Sequence, residues 1–256
     1  MAGIGFELKK ILNRQTFLGD LTAYLYAAMV SSGPWLMSIV CLAVLGVYQG
    51  AGLTRIEHAL FRSTVVYTYA FSLILVGIVQ MIATRYMADR LYEKKIDVIL
   101  PTLYTLTLLV LFAGSVFAAG SYLFFKVSLL HKVLGVMLFL VVSLIWLCMI
   151  FLSAIKDYNG IVNAFALGAG ISIAGAIYLG RPLGTEGYIA GYLLGQTVTL
   201  FWIMAKIMVE FPPTIFWNAD FLGYFIRYWD LVGIGFCSTW ASGRISSCSG
   251  WRRTPG

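Results

Sequence analysis

The chain has 256 residues, of which 60% are hydrophobic and 11% charged, and its mean hydropathy is +0.87. A water-soluble domain carries about 45–50% apolar and about 25% charged residues, so this composition excludes a soluble enzyme and a disordered tail and specifies an integral membrane protein. Eighteen Lys and Arg against 11 Asp and Glu give a net charge of +7. The basic residues fall between apolar blocks, so they report membrane topology and not nucleic-acid binding.

Residues 1–20 read as an amphipathic helix on the membrane surface. Ile4, Leu8, Ile11 and Leu12 recur at helical spacing, while Glu7, Lys9, Lys10 and Arg14 occupy the rest of the wheel. The segment is not a signal peptide, because the apolar run after it is too long for an h-region and no small-residue cleavage site stands out. Asp20 is placed to cap the helix that follows. Six uncharged stretches then come in order: Leu21–Tyr48, Ser63–Thr84, Val98–Phe125, Val133–Ile155, Tyr158–Gly180 and Gly187–Ala205. Crossing about 30 Å of hydrocarbon takes roughly 20 residues. All six are uniformly apolar, which predicts helices and not barrel strands. The first and third exceed the needed length, which predicts tilting, kinking or projection from the bilayer. The expected fold is therefore all-α, a polytopic membrane bundle of six helices.

Orientation follows from the basic residues. Lys9, Lys10 and Arg14, then Arg85, Arg90, Lys94 and Lys95, then Lys156, Lys206 and Arg227 put ten on one side. Arg55, Arg62, Lys126, Lys132 and Arg181 put five on the other. The positive-inside rule places the N-terminus in the cytoplasm.

Inside the first stretch, Ser31-Ser32-Gly33-Pro34-Trp35 interrupts the helix. Proline removes one backbone hydrogen bond and the serine hydroxyls can satisfy freed carbonyls, so this is either a fixed packing kink or a flexing point. Gly187, Gly191 and Gly195 form a doubled GxxxG stripe, and Ala164, Gly168, Gly170 and Ala174 a second small-residue face. Such stripes let helices approach closely, here within the bundle or, as the less common alternative, at a dimer face. Arg85 and Asp89, four apart beyond the second stretch, can pair as a solvated couple or as a gating contact. Tyr24, Tyr69, Gln80, Asn163 and Gln196 are the polar candidates to line a cavity, although packing is the commoner role for such residues. No charged side chain falls inside the six stretches, which argues against an ion-coupling site there.

Signatures of catalysis are missing from the pattern. Cys41, Cys148, Cys237 and Cys248 have no metal or disulfide spacing, and His58 and His131 fall in short connections. No phosphate loop is present, and Gly3-Ile4-Gly5 is not a dinucleotide fingerprint. No Ser/His/Asp set and no paired carboxylates mark a cleft. A membrane acyltransferase would rest on His131 alone. The expectation is no enzyme, no catalytic residue, no metal and no cofactor.

Several motifs nonetheless stand in a recognisable order: Gly3-Ile4-Gly5-Phe6-Glu7-Leu8-Lys9-Lys10, Ser31-Ser32-Gly33-Pro34-Trp35, Thr84-Arg85-Tyr86-Met87-Ala88-Asp89-Arg90-Leu91-Tyr92, Ser153-Ala154-Ile155-Lys156-Asp157-Tyr158, and Glu186-Gly187-Tyr188 through Gly195-Gln196. Over about residues 1–236 the chain resembles the PelG family, the membrane component of the Pel exopolysaccharide exporter. The resemblance implies a flippase-like fold of the multidrug/oligosaccharidyl-lipid/polysaccharide exporter type. Such proteins have two six-helix lobes around a cavity and work by alternating access. It also implies export of a cationic polysaccharide across the bacterial inner membrane in biofilm formation, beside a cytosolic glycosyltransferase and other inner-membrane export subunits. Membrane lipid is a further partner and nucleic acid is not. No catalytic residue is carried over.

On that reading residues 21–205 are one six-span lobe, 206–230 a cytoplasmic inter-lobe linker containing Phe211-Pro212-Pro213, and 231–236 the start of a seventh helix. Cys237–Gly256 holds five serines and three arginines and departs from the family pattern. Read one nucleotide out of register, Cys237–Gly250 is compatible with an apolar run resembling the family's seventh helix. The expectation is thus a truncated or frameshifted copy that cannot complete a transport cycle alone. The alternative is a non-transporting membrane scaffold that docks a glycosyltransferase through basic loops such as Lys94 and Lys95.

Overall fold

Apolar side chains with no polar interruption leave the backbone of a membrane protein one economical option, which is to satisfy its own hydrogen bonds within helices. A computed structural model of the chain describes residues 38–47, 55–123, 127–155 and 158–211, with the isolated positions 221, 223, 224, 230 and 233. Among the described residues the secondary structure is all helical: α1 Ser38–Val47, α2 Arg55–Tyr92, a 3-10 turn Ile96–Val98, α3 Ile99–Leu123, α4 Leu129–Ile155 and α5 Tyr158–Glu210. Four stretches are long and apolar enough to cross a membrane: Ile56–Tyr92, Ile96–Tyr122, Leu129–Leu152 and Gly160–Glu210. The amphipathic segment 1–20, Tyr24, the Ser31, Ser32, Gly33 and Pro34 kink, the start of the seventh helix at 231–236 (Gly233 apart) and the 237–256 tail lie outside the described residues.

The 53 residues of α5 do not form one rod. Pro182 stands inside it, and Gly184 takes φ 60°, ψ −138°, a conformation open to glycine alone. The chain folds back there into two antiparallel arms, 158–183 and 185–210. Gly187 meets the Leu179 carbonyl, Gly191 meets Gly175, and Gly195 meets Gly168 and Ser172. The fold-back lies between the stretches expected to end at Gly180 and to begin at Gly187.

Helix α2 departs from expectation. Its 38 residues at about 1.5 Å each make roughly 57 Å, nearly twice the hydrocarbon thickness. The sequence placed its helix at Ser63–Thr84, with Arg85, Asp89 and Arg90 in a connection; these three are helical. Hydropathy marks where the membrane ends, not where the helix ends, and no Gly or Pro intervenes between Ala83 and Tyr92. His58 and His131, expected in short connections, stand in the first turns of α2 and α4.

Helix α4, rich in Leu, Val and Ile, is the centre of the bundle and packs against α2, α3 and α5. Leu103, Leu106, Leu138, Val142, Ile145, Phe151, Phe165 and Ile203 are wholly enclosed. Phe112, Val116, Tyr178 and Phe201 stand on the outside, an arrangement that suits lipid and not water. Thr84, Thr102, Thr105, Ser121, Ser143, Thr197 and Thr199 return their hydroxyls to the carbonyl four residues back, which satisfies each in apolar surroundings.

Candidate functional site

Three polar clusters lie along α2, and they tie its length to the other elements. At the Arg55 end, Ser128 occupies the N-cap of α4, where its hydroxyl oxygen accepts the His131 backbone N–H at 3.1 Å. This bond satisfies one orphan donor of the helix start. The same hydroxyl donates to the Glu186 carboxylate, two residues past the fold-back of α5. A carboxylate there also meets the positive end of the α4 dipole. His131 is 3% exposed and its Nε2 lies 3.1 Å from Thr64 Oγ1 on α2. Thr64 gives its single proton to the Leu60 carbonyl at 2.8 Å, so Nε2–H is the donor of the pair. His58 sits edge-on to Tyr188 nearby, ring centroids 6.0 Å apart.

About halfway along the bundle, four side chains close a ring of hydrogen bonds. Gln196 Oε1 accepts the Tyr69 hydroxyl at 3.1 Å, and the Tyr192 hydroxyl lies 3.0 Å from the same phenolic oxygen. Gln196 Nε2 donates to Ser172 Oγ at 3.4 Å, and Ser172 Oγ donates to the Tyr192 carbonyl at 3.2 Å. Because the proton of Tyr69 goes to Gln196, that of Tyr192 goes to Tyr69, and each hydroxyl in the ring donates once. Tyr69 is 2%, Tyr192 0% and Gln196 3% exposed. The ring joins α2 to both arms of α5.

At the Tyr92 end, α2 stops in a Schellman motif: Lys95 N–H donates to the Arg90 carbonyl at 3.0 Å and Lys94 N–H to the Leu91 carbonyl at 3.2 Å. Lys94 holds the left-handed position, φ 58°, that glycine usually takes. Glu93 accepts from Lys95 at 3.1 Å and from Arg90 at 2.7 Å, and these partners hold its carboxyl below the usual carboxylate range. Buried Tyr86 carries the Arg90 guanidinium over its ring at 4.9 Å and packs edge-on to Phe221 and Tyr224. The Tyr224 hydroxyl donates to Asp89.

The described helices are apolar, with their buried polar groups at helix contacts, and among the described residues no group of three or more His, Cys, Asp or Glu is placed to hold a metal. A family model for PelG, described as a putative exopolysaccharide exporter (EPS-E), matches residues 1–242. The chain belongs to the PelG family. No curated protein and no solved structure matches it.

In this PelG-family chain the residues singled out from sequence fall into distinct places. Tyr69 and Gln196 meet in the closed ring, whereas Gln80 and Asn163 are exposed on α2 and on the first arm of α5. Gly187, Gly191 and Gly195 face the first arm of α5. Asp89 and Arg85 are both exposed, and the Asp89 carboxylate accepts the Tyr224 hydroxyl, which draws residues expected in the linker onto α2. Sequence reading missed Tyr192, Ser172, Thr64 and the Ser128 hydroxyl that links Glu186 to the start of α4. Tyr192 and Gln196 are four apart beside Gly191 and Gly195, so helical periodicity carried a signal for that pair. Nothing local signalled the others.

Proposed function

We propose that this chain is the membrane-embedded, non-enzymatic component of an exopolysaccharide exporter. It supplies one lobe of a carrier that passes polymer across the bacterial inner membrane by alternating access, with its N-terminus in the cytoplasm. Its partners on this reading are the polysaccharide, a cytosolic glycosyltransferase and other inner-membrane subunits. The observation that carries the reading is the PelG match over residues 1–242 on a chain of long apolar helices. The distribution of polar contacts supports it: they are few, and they sit at the junctions between helices, where a carrier would break and remake them. Deleting the gene in its host and measuring extracellular polysaccharide by sugar analysis tests the reading. The expected result is loss of secreted polymer while its nucleotide-sugar precursors persist in the cell; undiminished secretion overturns it.

A second reading, docking of the glycosyltransferase, is favoured by Lys94. A non-glycine residue held left-handed costs about 1–2 kcal/mol, and such outliers gather at functional positions. Lys94→Gly is therefore expected to stabilise the protein by about 1 kcal/mol in thermal unfolding. Loss of enzyme co-purification in that more stable variant supports docking through the 93–95 loop; retention removes it.

A further inference from the structure

The cluster at the Arg55 end of α2 contains chemistry that packing does not require. His131 is enclosed, and its Nε2 is committed as a donor to Thr64 because Thr64 has given its own proton to Leu60. The neutral ring therefore keeps its lone pair on Nδ1, the one atom that can take a further proton. A cation enclosed in this position needs a counter-charge. Glu186 is placed to supply one: its carboxylate accepts the Ser128 hydroxyl, and that same hydroxyl oxygen accepts the His131 backbone N–H. Ser128 is exposed and Glu186 half-buried, whereas His131 is enclosed. The other titratable and charged groups around this end include Glu57, His58 and Arg62 on α2, Tyr122 on α3 against Gly135, Lys132 on α4, and Arg181 and Tyr188 on α5.

We propose that His131 and Glu186 together form the site that binds one coupling proton, taken from the aqueous phase at this end of the bundle, and that its binding holds α2, α4 and α5 together there. The proton enters on Nδ1 and no other bond is made or broken. With the proton bound, His131 bridges Thr64 on α2 to the Glu186 charge on α5. When α5 swings away, the counter-charge leaves, the cation loses its support and the proton returns to water. The proposal deepens the exporter reading by naming its coupling ion, and it rests on that reading. It also answers the absence of charges within the apolar stretches. Glu186 stands just before the last of them and His131 just before another, so neither was counted inside a span, and the fold brings both to Ser128.

The test uses the full chain in lipid nanodiscs. The chain has two histidines, so His58→Gln leaves one imidazole whose 15N signals can be followed from pH 5 to 8. The expected result is a single reversible titration, with Nε2 protonated in the neutral form. Glu186→Gln should shift it to lower pH by about one unit, a tenfold loss of proton affinity. Thr64→Val, close in shape, should let the neutral ring populate the other tautomer without unfolding the protein. Hydrogen exchange, corrected for intrinsic rate, should slow at residues 62–68 and 185–190 on the acid side. An imidazole that keeps one state throughout, or a midpoint indifferent to Glu186→Gln, overturns the proposal. In cells, chromosomal His131→Gln should cut secretion more than tenfold at unchanged protein level. Full secretion by that variant overturns proton coupling and leaves the exporter reading standing. A titrating His131 together with undiminished secretion after gene deletion removes the exporter reading and the coupling role with it.

Discussion

Gly191→Ala is expected to stop the two arms of α5 from closing on each other. A methyl group at Gly191 would stand 2.2 Å from the Ala176 amide nitrogen and from the Gly175 carbonyl carbon, and 2.4 Å from the Gly175 oxygen. All three are backbone atoms, so no rotamer change relieves the contact and the arms must move apart. Separation is costly here because the same approach recurs on either side: a methyl at Gly187 would meet the Leu179 oxygen at 1.9 Å, and one at Gly195 the Gly168 oxygen at 2.4 Å. Helices in lipid gain little from the hydrophobic effect and depend on such close packing. Overpacking against an immovable backbone destabilises by about 3 kcal/mol, which lowers the midpoint of thermal unfolding in detergent by about 6–12 °C. Gly170→Ala is the matched control. It lies on the facing arm with nothing within 4 Å of its added methyl, and alanine is the better helix former, so its midpoint should hold or rise slightly. Equal losses in the two variants would mean that glycine serves helix flexibility in both arms and that the arms do not touch along the stripe.

That close approach was half legible from sequence. The spacing of four along Gly187, Gly191 and Gly195 marked a packing face, and the gap holding Arg181 marked a break between the uncharged stretches Tyr158–Gly180 and Gly187–Ala205. The surface opposite the stripe was not legible, since it depends on the turn at Gly184 and on how each arm is rotated. The extent of α2 was misjudged for a different reason: helix propensity continues through Arg85, Asp89 and Arg90 after the hydropathy signal has ended. The buried polar groups were the least legible. Tyr69 and Gln196 are 127 positions apart, and Glu186 and His131 belong to elements joined only by tertiary packing. A single sequence shows which of its residues are polar, but mutual rotation of the helices decides which of them meet.

Tyr69→Phe tests whether the central ring holds α2 to the α5 hairpin. The substitution preserves shape and removes one oxygen, but that oxygen both donates to Gln196 and receives the Tyr192 hydroxyl. Two enclosed polar groups lose their partner at once, and leaving such groups unsatisfied costs about 1–3 kcal/mol. Hydrogen bonds between membrane helices have averaged nearer 0.6 kcal/mol, because the disassembled helices find other partners in the bilayer. With both effects counted, a loss of about 2 kcal/mol is expected, which is about 4–8 °C in the unfolding midpoint. Gln196→Leu should cost a similar amount by leaving the Tyr69 hydroxyl without its acceptor. The double variant should cost less than the sum, since the first change has already opened the ring, and the difference in a double-mutant cycle measures the coupling directly. Additive losses would show that Tyr69 is held by packing and not by the ring. The Phe61 ring, 6.2 Å from that of Tyr192 on the same side of α5, would then become the contact to remove next. A strong coupling would instead make the ring a lock that α2 has to break before it can part from the hairpin.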